Sequence, residues 1–454
     1  MHFLFYIVIL AQAGPAPAEL TLEDLLKAAL ERDGRVMAAH AQLDAYRAKY
    51  DQAKWLWFPA AKLDVLFGGP VGRRELDCPD DPNCVRLKDR SAYSYGDLSA
   101  GVSFAVGGQL EVLLPIYTFG KISEAKNAAL AGVDAGEAGI EKARQDVALE
   151  VRRAYYGWIL ANASVEILED GERKLKEAEK KLIKMLDELN EDVTDRDLFK
   201  LRYYSAQVKS MLVQTRSGRK VALDALRFLT GVEGLGKDKK LHEMDLKAPA
   251  PPSETPNDYL GKAKKLRPEL KQLNAAVDAA SAAVEIQKSS FFPDFYIAGY
   301  IKGSYSPAHD FIENSLLRRG YTYYDHGLTL GMRITLDIPQ KMARLDEAQA
   351  NLRRIRAQES QAAEAVGLQI RKRLETLKSA GENLKVLKKG RRAAKAWMRA
   401  NFMSYGVGLS NTKDLLDSLA AYAKARMELF KAHHDTLVAR DRLKAAVGED
   451  LAKP

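Results

Sequence analysis

At 454 residues the chain could hold two or three ordinary domains, but 46% hydrophobic and 29% charged residues with few glycines and prolines favour long helices and exclude disorder. The formal charge of +9 comes from basic residues spread along helical stretches. Their densest cluster is only Lys388, Lys389, Arg391 and Arg392, without an aromatic stacking platform, so no nucleic-acid partner is expected.

The chain opens on an apolar run from Phe3 to Ala11, followed by Ala11-Gln12-Ala13, which reads as a signal peptide over 1–13 with an alternative cut at 18. The run is too short to span a bilayer and lacks the usual Lys or Arg ahead of it.

A first structural unit is expected over 20–231. A helix over about 21–57 ends at Phe58-Pro59, and strands over about 60–69 and 97–115 follow. Leu63, Val65 and Phe67 mark the first strand, and in the second Leu98, Ala100, Val102, Phe104 and Val106 alternate with Ser99, Gly101, Ser103 and Ala105. Between them Cys78 and Cys84 flank a turn-rich stretch, a spacing at which a small disulfide loop can close in an oxidising compartment; two unrelated thiols are the other reading. Helices over about 120–190 and 195–230 complete the unit, and the prolines of the segment 232–257 mark a linker. Gly231 to Lys237 has the spacing of a phosphate loop, but a helix precedes it and Asp238 stands where Ser or Thr is needed.

The second unit, 258–450, repeats the first. Ala41, Asp44, Ala45, Lys54, Phe58 and Pro59 recur 234 residues later as Ala275, Asp278, Ala279, Lys288, Phe292 and Pro293. Its helices are expected over about 258–291, 341–404 and 411–447, its strands over about 294–303 and 326–338. The proline-free helix after Lys341 would reach ~90 Å, with Leu345, Leu352, Ile370, Leu374, Leu377 and Leu384 forming a coiled-coil seam. The last helix carries two adjoining seams, one through Leu415 and Leu419 and one through Leu416 and Ala420, as a helix with two neighbours requires.

Each strand has one oily and one polar face. Trp55, Trp57, Phe58, Phe291 and Phe292 gather at the strand entrances and Tyr93, Tyr95, Tyr321, Tyr323 and Tyr324 at the far ends, like two interfacial girdles. Four strands cannot close a barrel, so strands in lipid must be pooled with other copies of the chain.

Pro115-Ile116-Tyr117-Thr118-Phe119-Gly120-Lys121 resembles the strand-to-helix junction of the TolC-type outer-membrane efflux proteins, and Ile338-Pro339-Gln340-Lys341 is a degraded second version. Tyr405-Gly406-Val407-Gly408-Leu409-Ser410-Asn411-Thr412-Lys413-Asp414-Leu415-Leu416-Asp417 resembles the family's turn between the long returning helix and the last helix. The resemblance covers nearly the whole mature chain. It implies a mainly α fold with a minority of β, a duplicated helix, β-hairpin and long-helix unit that assembles as a homotrimer. That trimer would have a 12-stranded outer-membrane β-barrel continued by a periplasmic α-helical barrel.

The implied function is a passive export duct in a tripartite efflux or type I secretion system. Its partners would be outer-membrane lipid, a periplasmic adaptor and an inner-membrane pump. Tyr405, Asp414 and Asp417 fall on the family's periplasmic gate positions, and Ser410 stands where some members carry a closing arginine. Asp197 and Lys200 lie 217 residues before Asp414 and Asp417, so Arg196 or Lys200 is expected to bridge to those acids in the shut state. Gly406 and Gly408 permit the reversal, and Ser410 or Asn411 caps the new helix.

A soluble periplasmic coiled-coil scaffold or adaptor is the rival reading. His433 and His434 are adjacent and point apart on a helix, and no acid, histidine and nucleophile constellation is present. Neither enzyme chemistry, a cofactor nor a metal is expected.

Overall fold

Thr21 and Thr255 open the two halves in the same way. In the computed structural model, Asp24 accepts from the Thr21 amide at 2.9 Å and hydroxyl at 2.8 Å, and Asp258 accepts from those of Thr255 at 3.0 and 2.8 Å. These capping boxes start α1 (Leu22–Arg32) and α5 (Pro256–Leu266). The structure describes residues 19–72, 102–188, 194–236, 241–242, 249, 252, 254–307, 322–406 and 411–452. The signal peptide, Cys78, Cys84, Tyr93, Tyr95, Tyr321, Gly408 and Ser410 lie outside them.

The single helices expected over 21–57 and 258–291 are each broken. α1 gives way to α2 (Gly34–Lys54) at Asp33, and α5 to α6 (Pro268–Ser289) at Arg267, both extended and again 234 residues apart. Pro268 drives the second break, because the residue before proline is pushed out of the helical region. No proline marks the first. There the Asp33 carboxylate accepts from the Arg35 amide at 2.8 Å and its guanidinium at 3.0 and 2.9 Å, while Arg35 also grips Glu150.

The long helices are α3 (Lys121–Asp187) and α7 (Ile338–Gly406), of 67 and 69 residues, each ~100 Å long. Each is followed by a helix of 36 residues, α4 (Asp195–Thr230) or α8 (Thr412–Val447), and both of these end on a left-handed glycine, Gly231 or Gly448. The strands are β1 (Ala60–Gly72), β2 (Val102–Tyr117), β3 (Asp294–Tyr305) and β4 (Tyr323–Arg333). The last strand stops short of the expected limit at 338. Pro339 stands in the first turn of α7, where its missing N–H costs nothing, and nearly buried Lys341 donates to Thr335 O at 2.6 Å.

The chain divides into two units, Met1–Ala45, Val133–Ala275 and Arg356–Pro454 in the first, Tyr46–Gly132 and Ala276–Ile355 in the second. The first is helical. Its largest core joins Leu25, Leu26, Val147, Val151, Tyr155, Tyr156 and Leu226, and another joins Ile370, Leu374 and Leu377 to Ala439 and Leu443. The second contains the sheet, antiparallel throughout in the order β1-β2-β3-β4. Among the described residues no helix is long and apolar enough to cross a membrane.

Candidate functional site

Cross-strand register sorts the sheet residues onto two faces. Leu63 pairs with Leu110, and Leu110 with Ile301, while Ile297 pairs with Leu330 and Phe295 with Met332. With Val65, Phe67 and Leu328 these residues make one apolar face that runs across all four strands and is largely exposed in the single chain. On the reverse, Asp64, Gln109, Lys302 and Asp325 form one polar row across the sheet, and Lys302 Nζ lies 3.5 Å from Asp325 Oδ2. The next row is Lys62, Glu111, Tyr300 and Gly327.

Tyr300 and Tyr296 lie over the glycines opposite them. A Cβ on Gly327 would meet the Tyr300 ring at 2.7 Å, and one on Gly331 would meet Tyr296 at 2.6 Å. Lys302 and Arg333 sit over these rings at 5.1 and 5.0 Å from the centroids. The polar face is thereby lined with cations, carboxylates and phenols. Among the described residues β1 and β4 are the edge strands, each with one side free to pair. An exposed apolar face with two open edges is unstable in water as it stands and calls for lipid on the face and further strands at the edges.

The strand-to-helix junction lies in the same unit. Pro115 cannot donate to the ladder, and the register shifts between it and Tyr117. Phe119 (φ 51°) and Gly120 (φ 96°) then take left-handed conformations that turn the chain into α3. Phe119 is held by stacking on Phe292, centroids 4.9 Å apart, and by Tyr117 at 4.7 Å. Lys121 locks the corner with an ion pair to Asp294 at 2.6 Å. Trp55, Trp57 and Phe58 form an exposed cluster with centroids 5.9 to 6.1 Å apart, and Phe292 is also exposed.

At the turns of the first unit, α3, α4 and the end of α7 meet α8 in a cluster of Leu175, Ala178, Leu182, Leu201, Tyr405, Leu415 and Leu416. Tyr405 is buried there and serves the packing of this end. Asn411 is the cap of α8, its Oδ1 accepting from the Asp414 amide at 2.8 Å, and Asn401 donates to Asp414 O at 3.0 Å. Asp197 caps α4 by accepting from Thr194 at 2.8 and 3.3 Å, with Lys200 3.7 Å away. Arg196, Lys200 and Asp417 line one groove with Phe199, Tyr203 and Lys413. Among the described residues no ion pair joins Arg196 or Lys200 to Asp414 or Asp417 within the chain. Gly406 is the last residue of α7.

Sequence reasoning missed a buried polar network. Asp441 accepts from Tyr156 Oη at 3.0 Å and from Arg440 Nε at 2.8 Å, with Arg152 at 3.7 Å, and Arg152 Nε also donates to Leu451 O at 2.9 Å. Burial, and then the Asp441 charge, push the Tyr156 phenol above its ordinary range. The only available signal was an acid amid the apolar seam of the last helix.

A sheet with one exposed apolar and one polar face, in a chain with helices of 67 and 69 residues, has the features of a transmembrane channel subunit. The model of the family described as outer membrane efflux protein matches residues 25–180 and 259–449, and the chain belongs to that family. The fold is shared with solved structures. CusC, described in terms of transmembrane channel formation, is 16% identical with a TM-score of 0.76, over 95% of this chain and 93% of that one. The outer membrane protein VceC from Vibrio cholerae is 16% identical with a TM-score of 0.74, over 95% and 96%. The outer membrane channel MtrE of Neisseria gonorrhoeae, solved in its open state, is 19% identical with a TM-score of 0.71, over 95% and 89%. No curated protein matches the chain in sequence. The protein is an outer-membrane channel component of efflux systems with a large periplasmic helical portion, and the soluble scaffold or adaptor reading is set aside.

Proposed function

We propose that three copies pool their sheets into one 12-stranded barrel and act as a passive duct, fed by an inner-membrane pump through a periplasmic adaptor. The observation that carries this reading is the pair of open edges, β1 and β4, on a sheet whose apolar face spans every strand. A further β1 beside β4 continues both faces in register, and the ring leaves no edge unpaired in lipid. Native mass spectrometry in mild detergent tests it: a trimer is expected, and a stable monomer would overturn the assembly.

The groove of Arg196, Lys200 and Asp417 is the proposed shut-state contact, closed between neighbouring hairpins. Asp417→Arg should raise ion conductance in planar bilayers, and an unchanged closed-state conductance would count against it.

A further inference from the structure

Away from the turns, where α4 also meets α8, the four long helices of the first unit stand in a row. α4 packs on α3 through Arg202 with Glu179 at 2.9 Å and Arg216 with Glu169 at 2.7 Å. α3 packs on α8 through Asp170 with Arg426 at 3.0 Å and Tyr156 with Asp441 at 3.0 Å. α8 packs on α7 through Ala439 and Leu443 against Ile370 and Leu374. α4 and α7 are therefore the two ends of the row.

The duplication states what their outer faces match. α4 and α8 correspond at an offset of 217, fixed by the caps Thr194 and Asn411 and by Gly231 and Gly448. α3 and α7 end at Asp187 and Gly406, an offset of 219 that also sets Val151 on Ile370 and Tyr155 on Leu374, all four buried. Applied to the α3–α8 contact, these offsets convert several buried residues into exposed ones. Ile167 of α3 is 1% exposed and its counterpart Val386 is 66% exposed; Leu416 of α8 is 3% exposed and its counterpart Phe199 is 65% exposed. Ala178 and Trp397, like Val438 and Val221, follow the same rule.

On α4 the exposed residues Phe199, Tyr203, Val213, Val221 and Phe228 fall on one stripe, opposite Leu201, Leu212 and Leu226. The charges correspond too. Arg152 maps onto Arg371 and Asp441 onto Asp224, the same residue types, but Asp441 is 1% exposed and Asp224 is 64% exposed.

We infer that α7 of one copy packs on α4 of the next as α3 packs on α8, with Arg371 of one copy paired to Asp224 of the next in repetition of Arg152 and Asp441. The inference rests on the proposed assembly of several copies and names the helix faces that meet in it. The external contact is not identical to the internal one. Glu375 replaces Tyr156, Leu223 replaces Arg440, and Lys389 and Lys209 replace Asp170 and Arg426, so that bridge is not repeated. Asp224 also lies 2.7 Å from Arg227 of its own helix, so two cations face two carboxylates across the joint. The apolar stripe supplies the contact area and the Arg371 pair sets its register.

Charge exchange tests it. Asp224→Arg and Arg371→Asp, purified from outer membranes in mild detergent, should each lose most of the SDS-resistant oligomer, and the double variant should regain it. Differently tagged D224R and R371D chains, co-expressed, should co-assemble in preference to self-assembly. Asp224→Asn and Arg371→Gln, which introduce no repulsion, should show a smaller loss in the same direction, and far-UV circular dichroism reports whether each chain keeps its helices. An oligomeric wild type whose single variants stay intact, or whose double variant is no better than the singles, overturns the pairing alone. A monomeric wild type overturns the assembly itself.

Discussion

Tyr156 Oη donates to Asp441 Oδ2 at 3.0 Å, joining the middle of α3 to the last turns of α8 across 285 residues of chain. The acid is enclosed, with Arg152 and Arg440 as its counter-ions. Removing one member of such a network leaves a buried charge unpaired. Asp441→Ala should therefore destabilise the helical unit by about 3–5 kcal/mol, and Tyr156→Phe by about 1.5–3 kcal/mol. Guanidinium titration of the helical circular dichroism signal in detergent measures both, and equal small effects would refute a shared network.

Gly231 and Gly448 end equivalent helices, and each abuts a helix break of its own half. A Cβ on Gly231 would meet the Arg32 side chain at 2.5 Å, whereas one on Gly448 would meet Arg267 backbone at 2.8 Å. Both glycines have positive φ, so either alanine costs about 1–2 kcal/mol of strain. Only Arg32 can swing aside. Gly448→Ala should lower the melting temperature well beyond Gly231→Ala, and the reverse order would show that the Arg267 break is the softer of the two.

Phe119 carries a left-handed backbone for the sake of its stacking on Phe292. Phe119→Ala loses the stacking and keeps the strain, while Phe119→Gly loses the stacking and relieves about 1 kcal/mol of it. The glycine variant should therefore give the larger fraction of heat-modifiable protein on unboiled gels.

Asp24 is held below the usual carboxylate range by the Thr21 amide and then by its hydroxyl, and Asp258 by the Thr255 hydroxyl and then its amide. The folded values lie below the unfolded ones, so the contribution is complete above the unfolded pKa and is lost as pH falls through the folded pKa. Asp24→Asn should be less stable than the wild type at about pH 6, with the gap closing towards about pH 2.5. Urea midpoints at the two values test the sign. A gap that widens on acidification would show that Asp24 does not cap as an anion.

Much of the fold was legible in the chain itself, because duplication, period-two strands and proline-free leucine seams are written in local order. Lys54 and Lys288, or Pro59 and Pro293, repeat with no reference to distant contacts, and the amphipathic strands imply missing neighbours once four of them are counted. The Asn411 cap was readable for the same reason, whereas the Phe119-Gly120 corner was readable only through its resemblance to a family motif. Other features depend on register and on long-range approach. Near Asp33 only the Asp33-Gly34 dipeptide hints that α1 stops there; the break itself is held by Arg35 and, through it, by Glu150 far along the chain. The seating of Tyr296 and Tyr300 on Gly331 and Gly327 exists only once β3 and β4 pair in one register. The burial of Asp441, against the exposure of Asp224 at the matching place, was decided by which helix faces the fold covers. Periodicity names a helix's faces; only packing decides which of them finds a partner within the chain.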